Sequence, residues 1–446
     1  MFNRVLVANR GEIAVRVIRG CRELGVRTVA VHSDPDAGSP FVRLADESVP
    51  LPGAKLSETY LDIRKILDAA AKTGAEAIHP GYGLLSENPA FADACRQEGI
   101  VFIGPPAASM RAMGGKAPSR DLVKSLGLPT IPGSEGIVPR AEDALAVADR
   151  LGYPVLVKAS AGGGGIGMKI AHGPDELRTA FETTQRLAVA SFGDGRLIVE
   201  KNLEEPRHVE IQVAADGHGR TVHLFERECT VQRRFQKLLE ETPSMALTDP
   251  LREAMGDAAI RIASAAGYVN LGTVEFIVSK GRFYFLEMNT RLQVEHPITE
   301  VTTGLDLVHL QLQIAAGEAG LPAQAEIGRR GHGIECRINA EDPAKNFMPS
   351  PGTITTWVEP GGPHVRVDAG VTAGHTVSFL YDPLLAKLIV WAGTRDLAIR
   401  RMARALSEFR VEGVKTTIPF HRALLENATF QSGRYTTAIA SEVKVG

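Results

Sequence analysis

Phe283-Tyr-Phe-Leu-Glu-Met-Asn-Thr-Arg-Leu-Gln-Val-Glu-His-Pro297 changes character halfway along. Its first part, residues 283–288, is aromatic and apolar, the composition of a strand. From there Glu287, Asn289, Arg291, Gln293 and Glu295 fall at every second position. Alternate side chains of an extended backbone share a face, so two acids, two amides and a guanidinium are expected on one surface. A strand showing its polar side to water carries the same pattern. The segment before it, Thr273-Val-Glu-Phe-Ile-Val278, joined through Ser-Lys-Gly-Arg, reads as the other arm of a hairpin. A three-residue loop, 280–282, places Glu275 opposite Glu287, whereas a two-residue loop puts Glu275 on the wrong face. Two carboxylates and the Asn289 amide facing one another suit a hard cation such as Mg²⁺, and lined-up acids need a counter-charge.

Bulk properties narrow the function. A chain of 446 residues predicts two to four domains. Lys and Arg number 50 against 52 Asp and Glu, so no basic field points to nucleic acid or a membrane surface. No apolar run approaches the ~20 residues that cross a bilayer, and the first ten residues read as a strand rather than a signal peptide. Cys21, Cys95, Cys229 and Cys336 have neither metal-ligand spacing nor disulfide density. The expectation is a soluble cytoplasmic enzyme with reduced thiols.

Strands at 4–8, 27–32, 75–79 and 100–103 alternate with helices over the first ~110 residues, which predicts a doubly wound parallel sheet. Two loops leave the carboxyl ends of its strands, where ligands bind: Asn9-Arg-Gly-Glu12, and His79-Pro-Gly-Tyr-Gly-Leu-Leu-Ser-Glu-Asn88, whose Tyr82 is a candidate substrate contact. Gly162, Gly164 and Gly167 satisfy G-x-G-x-x-G, but a dinucleotide fingerprint needs a helix directly after it. Here a short apolar run follows and a helix-like run starts only near Pro174, so strand, glycine loop, strand is expected. Such a hairpin brings backbone N–H groups to phosphate oxygens, with Lys158 and Lys116 adding charge. A strand at 222–226 leads into Arg227, Arg233, Arg234 and Lys237 interleaved with acids, either a solvated network or an anion site. A linker at 317–331 precedes short strands and a helix capped by Thr394.

Ala8-Asn-Arg-Gly-Glu-Ile-Ala, His79-Pro-Gly-Tyr-Gly, Lys158 with its glycine flap, Pro206-Arg-His-Val-Glu, Gln232-Arg-Arg, Glu335-Cys-Arg-Ile-Asn-Ala-Glu-Asp and the hairpin sequence together resemble biotin carboxylases, ATP-grasp enzymes, from Met1 to about Thr417. The resemblance implies a mixed α/β and α+β architecture. Its pieces are a Rossmann-like unit at 1–115, a linker and mobile glycine-rich lid at 116–203, a central ATP-grasp subdomain at 204–330 and a mixed C-terminal domain at 331–446. It implies carboxylation of biotin by ATP, Mg²⁺ (or Mn²⁺) and bicarbonate through carboxyphosphate. By the family pattern, Lys116, Lys158, Gly164, Gly165, His208 and the hinge Glu200, Lys201, Asn202 and Leu203 surround ATP. Glu275, Glu287 and Asn289 take metal ions, the two acids lying against the nucleotide. Lys237, Arg291, Gln293 and the backbone of Val294 hold bicarbonate, Glu295 is its general base, Arg337 stabilises the enolate of biotin, and Tyr82 is among the residues around bicarbonate and biotin. The implied partners are a separate biotin carboxyl carrier protein, carboxyltransferase subunits and a second copy in a homodimer, as in acetyl-CoA carboxylase of fatty acid biosynthesis. Ile166 and Phe235 depart from the family, which has a cation and a histidine there. With Glu240-Glu-Thr-Pro243, Ile166 resembles the urea and guanidine carboxylase branch; Ile166 and Phe235 are also what a non-catalytic ATP-grasp subunit would carry.

Overall fold

The structure, a computed structural model, describes residues 1–160, 167–318 and 320–445, without the side chains of Lys116, Ala117 and Phe192. Among these residues three sheets organise the chain. The first is built from β1 (Arg4–Val7), β2 (Arg27–His32), β3 (Glu47–Pro50), β4 (Ala77–His79) and β5 (Val101–Phe102). These pair in parallel in the order β3-β2-β1-β4-β5, the doubly wound topology expected. Helix α1 (Gly11–Glu23) buries Ile13, Val17 and Cys21, four residues apart and hence on one face. The loops after β1 and β4 leave adjacent strands, and the Asn9 amide ties them by donating to the carbonyls of Pro80 and Tyr82, at 2.7 and 2.8 Å.

In the second sheet β6 (Val155–Ala159) lies between β7 (Met168–Ala171) and β8 (Leu197–Lys201), antiparallel to both. Lys158 pairs with Met168, so strands do flank the glycine run. Gly164, Gly165 and Ile166 themselves fall outside the described residues. A helix begins at Pro174 and runs to Phe192.

The third sheet positions the site. Its strands are β9 (Arg207–Ala215), β10 (Thr221–Arg233), β11 (Gln236–Thr242), β12 (Asn270–Ser279), β13 (Arg282–Asn289), β14 (His332–Asn339), β15 (Val365–Ala369) and β16 (Leu384–Ala392). All pairs are antiparallel, in the order β13-β12-β9-β10-β11-β14-β16-β15. β10 continues well past residue 226, where the sequence ended it. Register shifts along β10 accommodate the charged run, and Glu226, Arg227 and Glu228 are buried in ion pairs instead of solvated.

The hairpin of β12 and β13 corrects two expectations. Its loop is two residues, not three: Ser279 pairs with Arg282 across Lys280 and Gly281, both at positive φ (49° and 71°), the turn whose twist matches a hairpin. Glu275 still faces Glu287, because a bulge between the Glu275/Glu287 and Phe276/Phe285 pairs leaves Leu286 over and restores the register. The extended backbone also stops at Asn289; residues 290–295 form a loop into α2 (His296–Thr303), with Pro297 in its first turn.

The C-terminal part closes on the N-terminal loops through Gly370. A Cβ there would lie 2.4 Å from the Glu12 backbone nitrogen, a contact no side chain can make. Gly370→Ala is expected to cost about 1–3 kcal/mol by overpacking, read as a lower urea midpoint with an unchanged slope.

Candidate active site

Lys237, near the start of β11, is the hub. Its ammonium donates to Glu210 of β9 at 2.6 Å, to Glu275 of β12 at 2.9 Å and to Glu295 of the loop at 2.6 Å. A second cation, Arg227, is wholly buried beneath them. It donates to Glu210 at 2.6 Å, to Gln212, Thr273 and Thr299, and to Gln293 at 3.0 Å. Gln293 in turn donates to Glu275 at 3.0 Å. Sequence-neighbouring polar groups thus converge although the backbone between them is a loop. Asn289 donates to Glu275 (2.8 Å) and accepts from Arg291 (2.9 Å). Arg337 on β14 reaches Glu295 at 2.9 Å, and His208 stands 2.9 Å from Glu275.

The protonation states follow from this packing. Burial alone raises the Glu275 carboxyl, but Lys237 and His208 reverse it and hold it well below the ordinary range. Glu295 behaves alike, burial being outweighed by Lys237, Arg337 and Arg227. Burial works against the Lys237 ammonium too, yet the surrounding anions keep it firmly charged. Cys229, facing the same group from β10, is pushed up by burial and stays a neutral thiol. The centre is an ordered lattice of unit charges whose donors are already engaged; an anion enters by taking N–H groups from carboxylates.

The other residues singled out from the sequence make contacts of their own. Lys158 forms an ion pair with Glu200 at 2.5 Å, and Arg120 completes that group at 2.6 Å. Lys201 spends its ammonium on the carbonyls of Gly152 and Tyr153, so its side chain faces away from a ligand. The Asn202 N–H donates to Pro154, and Leu203 is half-buried beside it. Lys116 opens the helix Lys116–Ser125, its side chain outside the described residues. Tyr82 donates its hydroxyl to Glu12 and is near enough to Arg337 and Asp382 to feel their charge. Phe235 sits 58 % exposed at the tip of the β10–β11 turn, both it and Arg234 at positive φ.

Several participants were not singled out from the sequence. Glu87, at the end of the glycine-rich loop, accepts from the Thr290 N–H at 2.8 Å and from Arg291 at 3.0 Å. Lys387 on β16, fully buried, donates to the Val294 carbonyl at 3.0 Å and pairs with Glu12 at 3.1 Å. A lone lysine in an apolar strand, Leu384-Leu-Ala-Lys-Leu-Ile-Val390, is the signal that could have found it.

The hairpin can hold a hard cation. Glu275 and Asn289 already touch, and Glu287 is the register partner of Glu275 and reaches solvent. Carboxylate and amide oxygens with an open side are the donors Mg²⁺ takes while keeping room for phosphate oxygens and water.

The chain's likeness to known proteins agrees with this geometry. Family profiles described as biotin carboxylase N-terminal domain, carbamoyl-phosphate synthase L chain ATP-binding domain and biotin carboxylase C-terminal domain match residues 1–110, 115–322 and 335–442. A pyruvate carboxylase subunit of Methanothermobacter thermautotrophicus is 53% identical over 446 residues, covering 100% of this chain and 91% of that one. Biotin carboxylase 1 of Bacillus subtilis is 50% identical over 439 residues, 98% of each. The biotin carboxylase domain dimer of Hydrogenobacter thermophilus 2-oxoglutarate carboxylase, solved with MgADP, ADP and bicarbonate, superposes with a TM-score of 0.94 at 48% identity, covering 99% of this chain and 98% of that one.

Acid titration probes the buried ion pairs from a point outside the catalytic cluster. Glu241, raised by burial, is brought far below the ordinary carboxyl value by His332 and Arg395. A depressed folded pKa gives stability that is complete above the unfolded value, about 4.3, and is lost as pH falls towards the folded one. Arg395→Met should cost about 3–5 kcal/mol at neutral pH, and the gap from wild type should narrow near pH 3, as checked by urea unfolding at both pH values.

Proposed function

Because the chain belongs to the biotin carboxylase family, its reaction is the ATP- and Mg²⁺-dependent carboxylation of biotin by bicarbonate, and we propose that the Lys237 centre carries it. The fold is ATP-grasp, as in the relatives. The observation that carries the assignment of roles is the convergence of Lys237, Gln293 and Arg337 on the buried acids Glu275 and Glu295, with Arg291 joined to them through Asn289.

In this reading bicarbonate lies against Lys237, Arg291, Gln293 and the backbone of Val294, taking donors from the carboxylates. Glu295, beside it, removes the bicarbonate proton, and the freed oxygen attacks the γ-phosphorus of ATP as ADP leaves, giving carboxyphosphate. Glu295 is a weak base while Lys237 and Arg337 both hold it; transfer of their N–H groups to the incoming anion raises its basicity. Arg337, permanently charged, presents its guanidinium to the ureido oxygen of biotin near Tyr82. Lys158, His208, Lys116, the flap residues Gly164 and Gly165, and the hinge Glu200–Leu203 surround the nucleotide. Glu275, Glu287 and Asn289 would hold Mg²⁺, which when bound would neutralise phosphate charge beside these groups.

The proposed boundaries are those of a Rossmann-like unit to 115, a lid to 203, a central subdomain to 330 and a C-terminal domain beyond. Biotin is proposed to arrive on a separate carrier protein, with carboxyltransferase subunits consuming the product. The homodimer is proposed from the dimeric relative. No described helix is long and apolar enough to cross a membrane, which is compatible with the cytoplasmic location proposed. The half-reaction is common to carboxylases with different final acceptors, pyruvate and 2-oxoglutarate among the relatives' names.

Phosphate release with and without bicarbonate and biotin tests the assignment. Arg291→Ala should reduce the bicarbonate- and biotin-dependent rate by roughly 10²–10³-fold while ATP binding persists. Equal rates in the two proteins refute the role of Arg291.

A further inference from the structure

Strands β11 and β14 bring together a pair of acids that the reaction as described does not use. Glu240 and Glu335 are register partners, and both are fully buried. Glu240 Oε1 accepts from Arg337 Nε at 2.7 Å and lies 2.5 Å from Nη2, while the same Nη2 donates to Glu295 Oε2 at 2.9 Å. The second oxygen of Glu240 and both oxygens of Glu335 find no hydrogen-bond partner among the described residues. A partly buried arginine is thus shared between two carboxylates, the proposed base Glu295 and Glu240, to which the proposed reaction assigns no role.

We propose that Glu240 is the positioning residue of Arg337: it grips the Nε edge of the guanidinium, sets the angle at which the other edge meets the ureido group of biotin, and competes with Glu295 for the shared Nη2. The proposal rests on the reading of Arg337 as the biotin-binding arginine.

The surroundings decide how the grip depends on pH. Facing Glu240 are Lys237 on its own strand, Arg337 and Glu335 on β14, Glu295 at the start of α2, Cys229 on β10, and, behind Glu335, Lys387 on β16. His296, at the head of the helix packed over these strands, is held neutral, chiefly by burial. Burial likewise keeps the Glu335 carboxyl and the Cys229 thiol protonated. The charges acting on Glu240 are therefore Arg337, Glu295 and Lys237. Burial raises the Glu240 carboxyl to about 7, Arg337 opposing and Glu295 assisting. Ionised, Glu240 draws the guanidinium towards itself and loosens its hold on Glu295; protonated, it surrenders Arg337 to Glu295 and weakens both the base and the biotin contact.

The test is steady-state phosphate release with free biotin varied at saturating MgATP and bicarbonate, across the neutral pH range. In the wild type kcat/KM for biotin should rise with pH through an inflection near neutrality. Glu240→Gln, isosteric but uncharged, should lower it about tenfold on the alkaline side and abolish the inflection, with KM for ATP changing less than about twofold. Glu335→Gln replaces an acid that is already neutral and should leave the inflection in place. An inflection that persists in Glu240→Gln, one that moves in Glu335→Gln, or a loss shared equally by biotin and ATP overturns the proposal. Arg337→Ala separates the two levels. An unchanged KM for biotin removes the reading of Arg337 itself. A raised KM in Arg337→Ala together with an unaffected Glu240→Gln removes only the role of Glu240. Should Glu240→Gln fail to fold, the remaining profiles decide: a common inflection in wild type and Glu335→Gln supports the proposal, and a flat wild-type profile overturns it.

Discussion

The ammonium of Lys237 gives its N–H groups to carboxylates from three places in the chain, Glu210 on β9, Glu275 on β12 and Glu295 in the loop after β13. Three buried acids this close repel one another, and each taken singly would protonate. Lys237, with His208 beside Glu275 and Arg337 beside Glu295, holds those two ionised, whereas at Glu210 burial outweighs Lys237 and Arg227 and raises the carboxyl. The sheet order makes the meeting possible. Lys237 reaches Glu210 from β11 across β10, which presents the small Cys229 to the same group. A site held together by mutual neutralisation is already shaped for a new anion, since the donors an anion needs are in place and oriented.

The parts of this arrangement set by local pattern were readable from the residues alone. Strand-like runs alternating with helix-like ones disclosed the parallel sheet, and aromatic and apolar composition with a glycine between two runs disclosed β12 and β13. The pairing of Glu275 with Glu287 was also legible, although by the wrong route: a two-residue turn plus a bulge stands in place of a three-residue loop. Both solutions give the same parity, so periodicity cannot separate them. The two positive-φ residues at Lys280 and Gly281 were the available clue, with glycine as the second turn residue.

What stayed hidden was set by long-range pairing. The charged run at Glu226, Arg227 and Glu228 has the composition of a solvated surface, and only register with β9 and β11 turns it inward. Glu87, Glu240 and Lys387 each owe their importance to a partner far away in sequence, Arg291, Arg337 and Val294. Lys387 joins the N-terminal unit, through Glu12, to the backbone of the anion loop. Such a lysine is paid for in desolvation, and its removal would leave the buried Glu12 without a counter-charge.

The continuity of the eight-stranded sheet has a consequence for how such chains can be recombined. β14, which bears Arg337, is hydrogen-bonded on one side to β11 and on the other to β16. The last hundred residues are therefore not a detachable module in the sense that a tethered domain is, whatever a linear map of family segments suggests. Separating the two parts at the connection between Ala315 and His332 would leave two raw strand edges, each with unpaired backbone groups and each a template for self-association. Exchange of parts between relatives is constrained to preserve that seam.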